Sequence, residues 1–312
     1  MGKDKVDMYF AVNFTRSEWD KYMEIINNEF RQDLPWLYDD INFMVSYHYH
    51  KKKMDKIIDL FESDKRFNKI FLDSGAYSAH TQGSKIDIDE YIDFINQYHE
   101  KVNFYAELDV LSSPEESLEN YIYMYDKVKE PEKLVPIYHT GERKSIIQEF
   151  NEYDYNVIGA SDITYHFRPL RRKLINNVKL ETDRKMHLFG ITDFKLAYQY
   201  QNVVNSLDSI THKKEAGFGM IFDINDDDFT FNKIFVTDRA KYRKDYIDNI
   251  GSKEYSQNKI KHIEEKYGIN FDDLREEYKY RVSFNIVTTL EIVHKLNKKE
   301  SNMSTKKRKR LI

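Results

Sequence analysis

The sequence predicts an α/β protein: a TIM-type (β/α)₈ barrel with a helical C-terminal appendage. Three observations predict it. Short apolar or alternating runs recur through roughly the first 210 residues at spacings that suit strand–helix units. Amphipathic stretches of helical period fill the intervals between them. Carboxylates, hydroxyls and glycines stand where successive runs end, and the carboxyl ends of the strands form the functional face of such a barrel.

The expected strands are Met8–Asn13, Ile41–Ser46, Lys69–Leu72, Phe104–Asp109, Leu134–Tyr138, Asn156–Gly159, Lys185–Phe189 and Val203–Leu207. Ser17 is a candidate cap for a helix through Phe30, and Asp87–His99 places Ile88, Tyr91, Ile92 and Ile95 on one helical face. Ser113-Pro114-Glu115-Glu116 joins a capping serine to a first-turn proline and early carboxylates. Residues 142–151, 167–178 and 193–200 continue the alternation. Eight such units make a parallel barrel, which typically needs about 250 residues; a doubly wound open sheet is the alternative arrangement. After Phe222 the pattern changes. Asp223–Asp228 reads as an acidic turn, and residues 253–267 and 271–297 as long helices. In the second of these Leu274, Tyr278, Val282, Ile286, Leu290 and Val293 follow a helical spacing. The expected division is a catalytic barrel over 1–222, a helical extension packed on it over 223–300, and a basic, frayed tail over 301–312.

Composition narrows the classes. An apolar share of 40% in 312 residues supports a core of one large domain or two ordinary ones, under a surface rich in charge. Tyr (24) and Phe (20) are abundant while Gly (10) and Pro (5) are scarce, which opposes disorder. The tyrosine count alone is not read as a base-stacking surface, because richness in Lys, Asn, Ile and Tyr also follows from an AT-rich genome. The absence of cysteine excludes disulfides and every cysteine-ligated zinc site. No run approaches the ~20 apolar residues of a membrane span, so a cytoplasmic protein without a membrane partner is expected. With a formal net charge of −4, nucleic-acid contact has to come from a local basic patch. Lys306-Lys307-Arg308-Lys309-Arg310 is one such patch, equally readable as a solvated tail or a phosphate-binding arm.

The strand ends carry the chemistry. The third run ends in Asp73-Ser74-Gly75, which is either a simple Asx-turn or a ligand-facing turn. The others end in Glu107-Leu108-Asp109, His139-Thr140-Gly141, Gly159-Ala160-Ser161-Asp162, Gly190-Ile191-Thr192 and Asp208-Ser209. Carboxylates converging on one pocket suit covalent and acid–base chemistry at an anomeric carbon, and suit a magnesium ion as well. His139 is a candidate either for a hydrogen-bonded wall position or for a reacting group.

Taken in order, Asp73-Ser74-Gly75-Ala76-Tyr77-Ser78, Leu108-Asp109-Val110, Pro136-Ile137-Tyr138-His139-Thr140-Gly141-Glu142, Ile158-Gly159-Ala160-Ser161, His187-Leu188-Phe189-Gly190-Ile191-Thr192 and Asp208-Ser209 resemble the tRNA-guanine transglycosylase (queuine tRNA-ribosyltransferase-like) superfamily. Ala216-Gly217-Phe218-Gly219 follows downstream, and the resemblance covers roughly residues 40–222. It is closer to the compact, phage-encoded members, whose relatives include the DNA 7-deazaguanine transglycosylases. The resemblance implies a (β/α)₈ barrel that exchanges guanine in a nucleic acid for a free 7-deazaguanine base. It implies Asp208 as the nucleophile and Asp73 as the acid–base residue. It implies Asp109 as the reader of the purine edge, with His139 standing where the tRNA enzymes place a base-reading glutamine. Ser74, Gly75, Gly141 and Ser161 would join the substrate pocket, while Gly159 and Gly190 would let backbone approach the flat base.

Two departures shape the expected substrate. The tRNA enzymes hold a structural zinc through cysteines that this chain lacks, so no cofactor is expected. The segment after the nucleophile reads Ile210-Thr211-His212-Lys213-Lys214, in which Lys213 and Lys214 are either phosphate contacts or a solvated loop. Both departures favour DNA slightly over tRNA. The setting would be a host cytoplasm if the protein is phage-encoded, and a homodimer is one compatible assembly. Two rival readings share the fold: a hydrolytic, base-removing glycosylase, and an inactive nucleic-acid-binding subunit of a modification system.

Overall fold

Buried apolar strands need two covered faces, and a parallel sheet closed on itself supplies both. The computed structural model describes residues 5–12, 15–111, 113–162, 168–225, 229–237 and 257–307. They divide into two compact units, one of residues 1–13 and 40–209, the other of residues 14–39 and 210–312.

The first unit is the barrel. Its strands are β1 (Asp7–Ala11), β2 (Ile41–Ser46), β3 (Phe67–Asp73), β4 (Phe104–Ala106), β5, β6 (Val157–Ser161), β7 (Lys185–Phe189) and β8 (Val204–Ser209). Strand β5 comes in two pieces, Leu134–Val135 and Ile137–His139, because Pro136 has no N–H to give the ladder. The first piece pairs with β4 and the second with β6, so β5 is the seam at which the sheet closes. Gly159 N–H donates to the Pro136 carbonyl (2.7 Å) across that seam. Every neighbouring pair is parallel, and β1 pairs with both β2 and β8. All eight runs expected to be strands are therefore strands of one barrel, and the open-sheet alternative falls. Inward side chains, Tyr9, Met44, Phe71, Ala106, Val135, Ile137 and Val157 with Phe104 and Phe189 against them, fill the interior.

Crossover helices follow the strands. The chain leaves the barrel after β1 for the second unit, where it forms α1 (Arg16–Glu29), and returns at residue 40. After β2 come α2 (Tyr47–His50) and α3 (Met54–Phe61), and after β3 come α4 (Ala76–Thr81) and α5 (Ile88–Tyr98). They are followed by α6 (Pro114–Tyr125), α7 (Ser145–Phe150), α8 (Arg168–Glu181) and α9 (Phe194–Gln199). Asp87 caps α5 by accepting the Glu90 N–H, and Pro114 opens α6. The cap of α1 is Thr15, not Ser17: Thr15 and Glu18 exchange bonds in a capping box, and Glu18 is the residue at the third helical position able to reach back. Strand β4 stops three residues short of the expected Asp109. Glu107 N–H still donates to the Val135 carbonyl (3.1 Å), and beyond it side chains replace the ladder: Leu108 N–H meets Met124 Sδ (3.3 Å) and Val110 N–H meets Ser117 Oγ (2.8 Å), both on α6.

The second unit differs from the extension expected over 223–300, since it begins at Ile210 and includes residues 14–39. It contains α10 (Thr211–Gly217), the antiparallel hairpin β9 (Met220–Asn225) and β10 (Thr230–Phe235), and the helices α11 (Gln257–Tyr267), α12 (Phe271–Glu276) and α13 (Tyr278–Lys307). The expected acidic turn is thus strand over 223–225, while 226–228 lie outside the described residues. The helix expected over 271–297 is broken at Glu277, whose backbone is extended. There the buried Arg281 guanidinium donates to the carbonyls of Leu274 (2.9 Å) and Arg275 (3.1 Å), satisfying the end of α12. Asn285 on α13 accepts the Phe222 N–H and donates to the Met220 carbonyl, fixing the hairpin. Helix α13 continues to Lys307, so residues 301–307 are helical where a frayed tail was expected; residues 308–312, with most of the basic patch, lie outside the described residues. Among the described residues no helix is long and apolar enough to cross a membrane.

Candidate active site

Four strand ends bring Asp73 (β3), Asp109 (after β4), His139 (β5) and Asp208 (β8) to the carboxyl-end mouth of the barrel. The proximity of the three aspartates shows in Asp73. Burial, and then repulsion from Asp109 and Asp208, lifts its pKa to about 7, against the opposing pull of the Gly75 N–H that it accepts. At neutral pH Asp73 is therefore divided between acid and carboxylate, the condition in which a group both gives and takes a proton.

The Asp73 turn is both things the sequence allowed. Gly75 N–H bonds back to Asp73, and Ala76 N–H to Ser74 Oγ (3.2 Å), so the turn satisfies its own amides. The same turn also sets a carboxylate of perturbed acidity at the mouth of the barrel. Gly75 has φ +78°, and a Cβ there would lie 2.4 Å from Ser46 Oγ and 2.6 Å from His48 Cβ. Gly75→Ala is accordingly expected to destabilise the barrel by about 2–4 kcal/mol, from left-handed strain plus overlap, as read by thermal or urea denaturation.

Asp208 is held by one oxygen. Its Oδ1 accepts the Gly190 N–H at 2.7 Å and lies 3.3 Å from His187 Nε2, while Oδ2 has no hydrogen-bond partner among the described residues. Gly190 (φ +63°) has open space where a Cβ would stand, so its backbone conformation is what calls for glycine. His187 is fully buried in the barrel interior, its ring centroid 4.7 Å from that of Phe71 and 4.5 Å from that of Phe189. Its Nδ1 is 2.9 Å from Ser206 Oγ. Ser206 thus holds the His187 ring, which packs beneath Asp208 with Nε2 close to Oδ1 but without a hydrogen bond to it among the described residues.

His139 does not present a free ring edge. Nε2 is 3.0 Å from Asp109 Oδ2, Nδ1 is 3.0 Å from Glu142 Oε1, and its N–H donates to Glu142 Oε2 (2.8 Å). Burial alone would lower its pKa, but the two carboxylates outweigh burial and raise it to about 10. The ring is an imidazolium clamped between two anions, and it fixes Asp109 rather than offering a nitrogen to a ligand. Removing the ring takes the counter-ion from two largely buried carboxylates, although Glu142 keeps the backbone N–H of residue 139, so His139→Ala is expected to cost roughly 3–5 kcal/mol at pH 7, measured by urea unfolding. The pH sense follows from the raised pKa. This stabilisation is complete below the unfolded-state value near 6.5 and is lost as pH rises through about 10. NMR of the His139 ring should show it still protonated at pH 8.5.

The neighbouring positions divide into pocket and wall. Ser161 ends β6 beside His139 and Phe189, and its carbonyl accepts the Thr140 N–H (3.0 Å). Gly141 (φ +102°) follows β5 in a conformation that suits glycine. Gly159 faces no open space: a Cβ there would lie 2.5 Å from the Phe189 ring, so this glycine makes room for Phe189 inside the barrel rather than for a ligand. Asp162 is paired with Arg171. Glu107, fully buried, accepts the Ile137 N–H that follows the Pro136 break (2.5 Å), and burial holds its carboxyl well above the usual range. It splices β4 to β5. Lys213 and Lys214 belong to the second unit, where Lys213 pairs with Glu18 (3.6 Å) and Lys214 is exposed.

Sequence reading missed Glu142, His187 and Ser206. Glu142 and His187 stand inside motifs that were noticed and Ser206 two residues before Asp208, but their roles depend on side-chain placement and inter-strand register, such as His187 opposite Ser206. Among the described residues no group of three His, Asp or Glu is arranged to hold a metal ion. Neither a scan of protein-family models nor a search of curated proteins finds a match to this chain.

Proposed function

We propose that the protein is a base-exchange transglycosylase that replaces guanine in a nucleic acid, DNA in preference to tRNA, with a 7-deazaguanine base. The observation that carries this reading is Asp208, a buried carboxylate anchored through Oδ1, with Oδ2 unbonded among the described residues, beside an aspartate with a pKa of about 7. An anchored carboxylate with one free oxygen suits a nucleophile, and the raised partner suits proton transfer. The resemblance in motif order, from Asp73-Ser74-Gly75 to Asp208-Ser209, adds the substrate class.

In the proposed reaction Asp208 Oδ2 attacks C1′ of the target nucleotide. The C1′–N9 bond breaks, its electron pair leaves with guanine, and the Asp73 carboxylic acid supplies the proton that neutralises the departing base. The incoming 7-deazaguanine then gives its N9 proton to the Asp73 carboxylate. N9 attacks C1′, and the C1′–Asp208 ester bond breaks with its electrons returning to the carboxylate. The Asp109 carboxylate, fixed through Oδ2 by His139, would accept hydrogen bonds from the purine amino and ring N–H edge. A duplex target has to be unstacked first.

The test is incorporation of labelled 7-deazaguanine precursors into guanine-containing DNA and tRNA. Incorporation into either polymer supports the reading, and its absence from both with folded protein overturns it. Alkali-labile abasic sites formed without added base would instead favour the hydrolytic glycosylase.

A further inference from the structure

The carboxyl-end rim beside Asp73 carries a surface that the exchange reaction does not use. β2 ends at Ser46, paired in register with Asp73, and runs directly into α2. His48 N–H donates to the Ser74 carbonyl (3.3 Å), so α2 sits against the Asp73 turn. Tyr49 is 50% exposed and Tyr77, four residues past Asp73, is 46% exposed. A single exposed tyrosine is ordinary. Here one of the two is also held in place: Gln82, at the end of α4, donates to Tyr49 Oη (2.7 Å), while its Oε1 lies 3.2 Å from His48 Nε2. The His48 ring braces Tyr49 edge-on at 4.9 Å. A fixed, solvent-facing aromatic ring has already lost the freedom that binding would otherwise cost it.

Charge at this rim is local. Lys51 is bound to Glu90 (3.2 Å), but Lys52 and Lys53 are exposed and make no ion pair among the described residues. In a chain of net charge −4, two uncommitted cations beside two exposed rings form a surface complementary to a polyanion that carries flat bases.

We propose that residues 47–53 and 76–82 form a platform for single-stranded nucleic acid, on which bases flanking the reacting nucleotide stack against Tyr49 and Tyr77 while Lys52 and Lys53 hold phosphates. The proposal rests on the transglycosylase reading for its orientation toward Asp73, but it is tested by binding alone. It also accounts for access, because an unpaired strand presents its target base without the cost of flipping.

The experiment is fluorescence anisotropy with labelled guanine-containing 12-mers of single-stranded DNA, single-stranded RNA and duplex DNA, using the full chain and its Asp208→Asn form to separate binding from chemistry. Wild type should bind a single strand more tightly than duplex. Tyr49→Ala and Tyr77→Ala should each weaken single-strand binding by roughly ten-fold, and Tyr77→Phe should not. Lys52→Ala with Lys53→Ala should reduce the slope of log K against log salt by about 1.4, the value for two phosphates on a single strand. These side chains are at the surface, so circular dichroism should be unchanged in every variant. Unaltered binding in a variant carrying both Tyr49→Ala and Tyr77→Ala, a preference for duplex, or no binding of either single strand by wild type overturns the proposal. Binding that responds as described while base exchange is absent upholds the platform and overturns only the reaction.

Discussion

Asp208→Asn is expected to lower base exchange by roughly 10⁴-fold or more and to abolish any covalent protein–nucleic acid adduct trapped by denaturation. The substitution keeps the side chain's shape, and the amide oxygen can still accept the Gly190 N–H that Oδ1 accepts now. What disappears is the anionic oxygen, and an amide does not attack an anomeric carbon. Thermal stability should change little, because the contact that anchors residue 208 survives. The measurement pairs incorporation of labelled base with adduct formation on a denaturing gel. Full activity in the variant would move the nucleophile to another carboxylate. A variant beneath the nucleophile behaves differently: His187→Gln should slow exchange without ending it, since the His187 ring packs 3.3 Å from Asp208 Oδ1 and away from the attacking oxygen.

The barrel was legible because a strand buried on both faces has to be written as a short, nearly continuous apolar run, and eight of these sit at crossover spacing. The division into units was not. Helix α1 has an apolar face of Trp19, Tyr22, Met23, Ile25 and Ile26, and periodicity reveals such a face without naming what covers it. Position in the chain suggested the barrel, whereas α1 belongs to the second unit. The site divides in the same way. Asp73, Asp109 and Asp208 stand at strand ends, where chain order alone marks them. His187 and Ser206 lie inside their strands, and only the register between β7 and β8 brings them together beneath Asp208. Gly159 shows the converse error. A glycine at a strand end suggests a ligand, but the side chain that needs its space is Phe189 from the next strand. His139 was visible as a polar strand end, yet its clamp arises where the end of β5 and the turn after it, with Glu142, meet the segment after β4, with Asp109.

Asp73→Asn should make the protein more stable and less active at once. The folded-state pKa of Asp73 is about 7, above its ordinary value of 3.8, first because it is buried and then because Asp109 and Asp208 repel its charge. Between those two pH values the native state binds the proton more tightly than the unfolded chain does. Stability contributed by the neutral acid is therefore complete below about pH 4 and lost as pH rises through 7. The shift sets an upper bound of about 4 kcal/mol on that loss, which solvent at the barrel mouth reduces to about 1–3 kcal/mol. Asparagine cannot ionise, so the variant escapes the loss: at pH 8 its urea midpoint should exceed that of wild type, and at pH 4 the two should converge. Exchange should nevertheless fall by roughly 10²–10⁴-fold, the usual worth of a general acid–base group. A merely structural aspartate in an Asx-turn would show the opposite pair of effects, lower stability with activity retained. The turn at Asp73-Ser74-Gly75 fits both descriptions by geometry, and the sign of the stability change at pH 8 separates them.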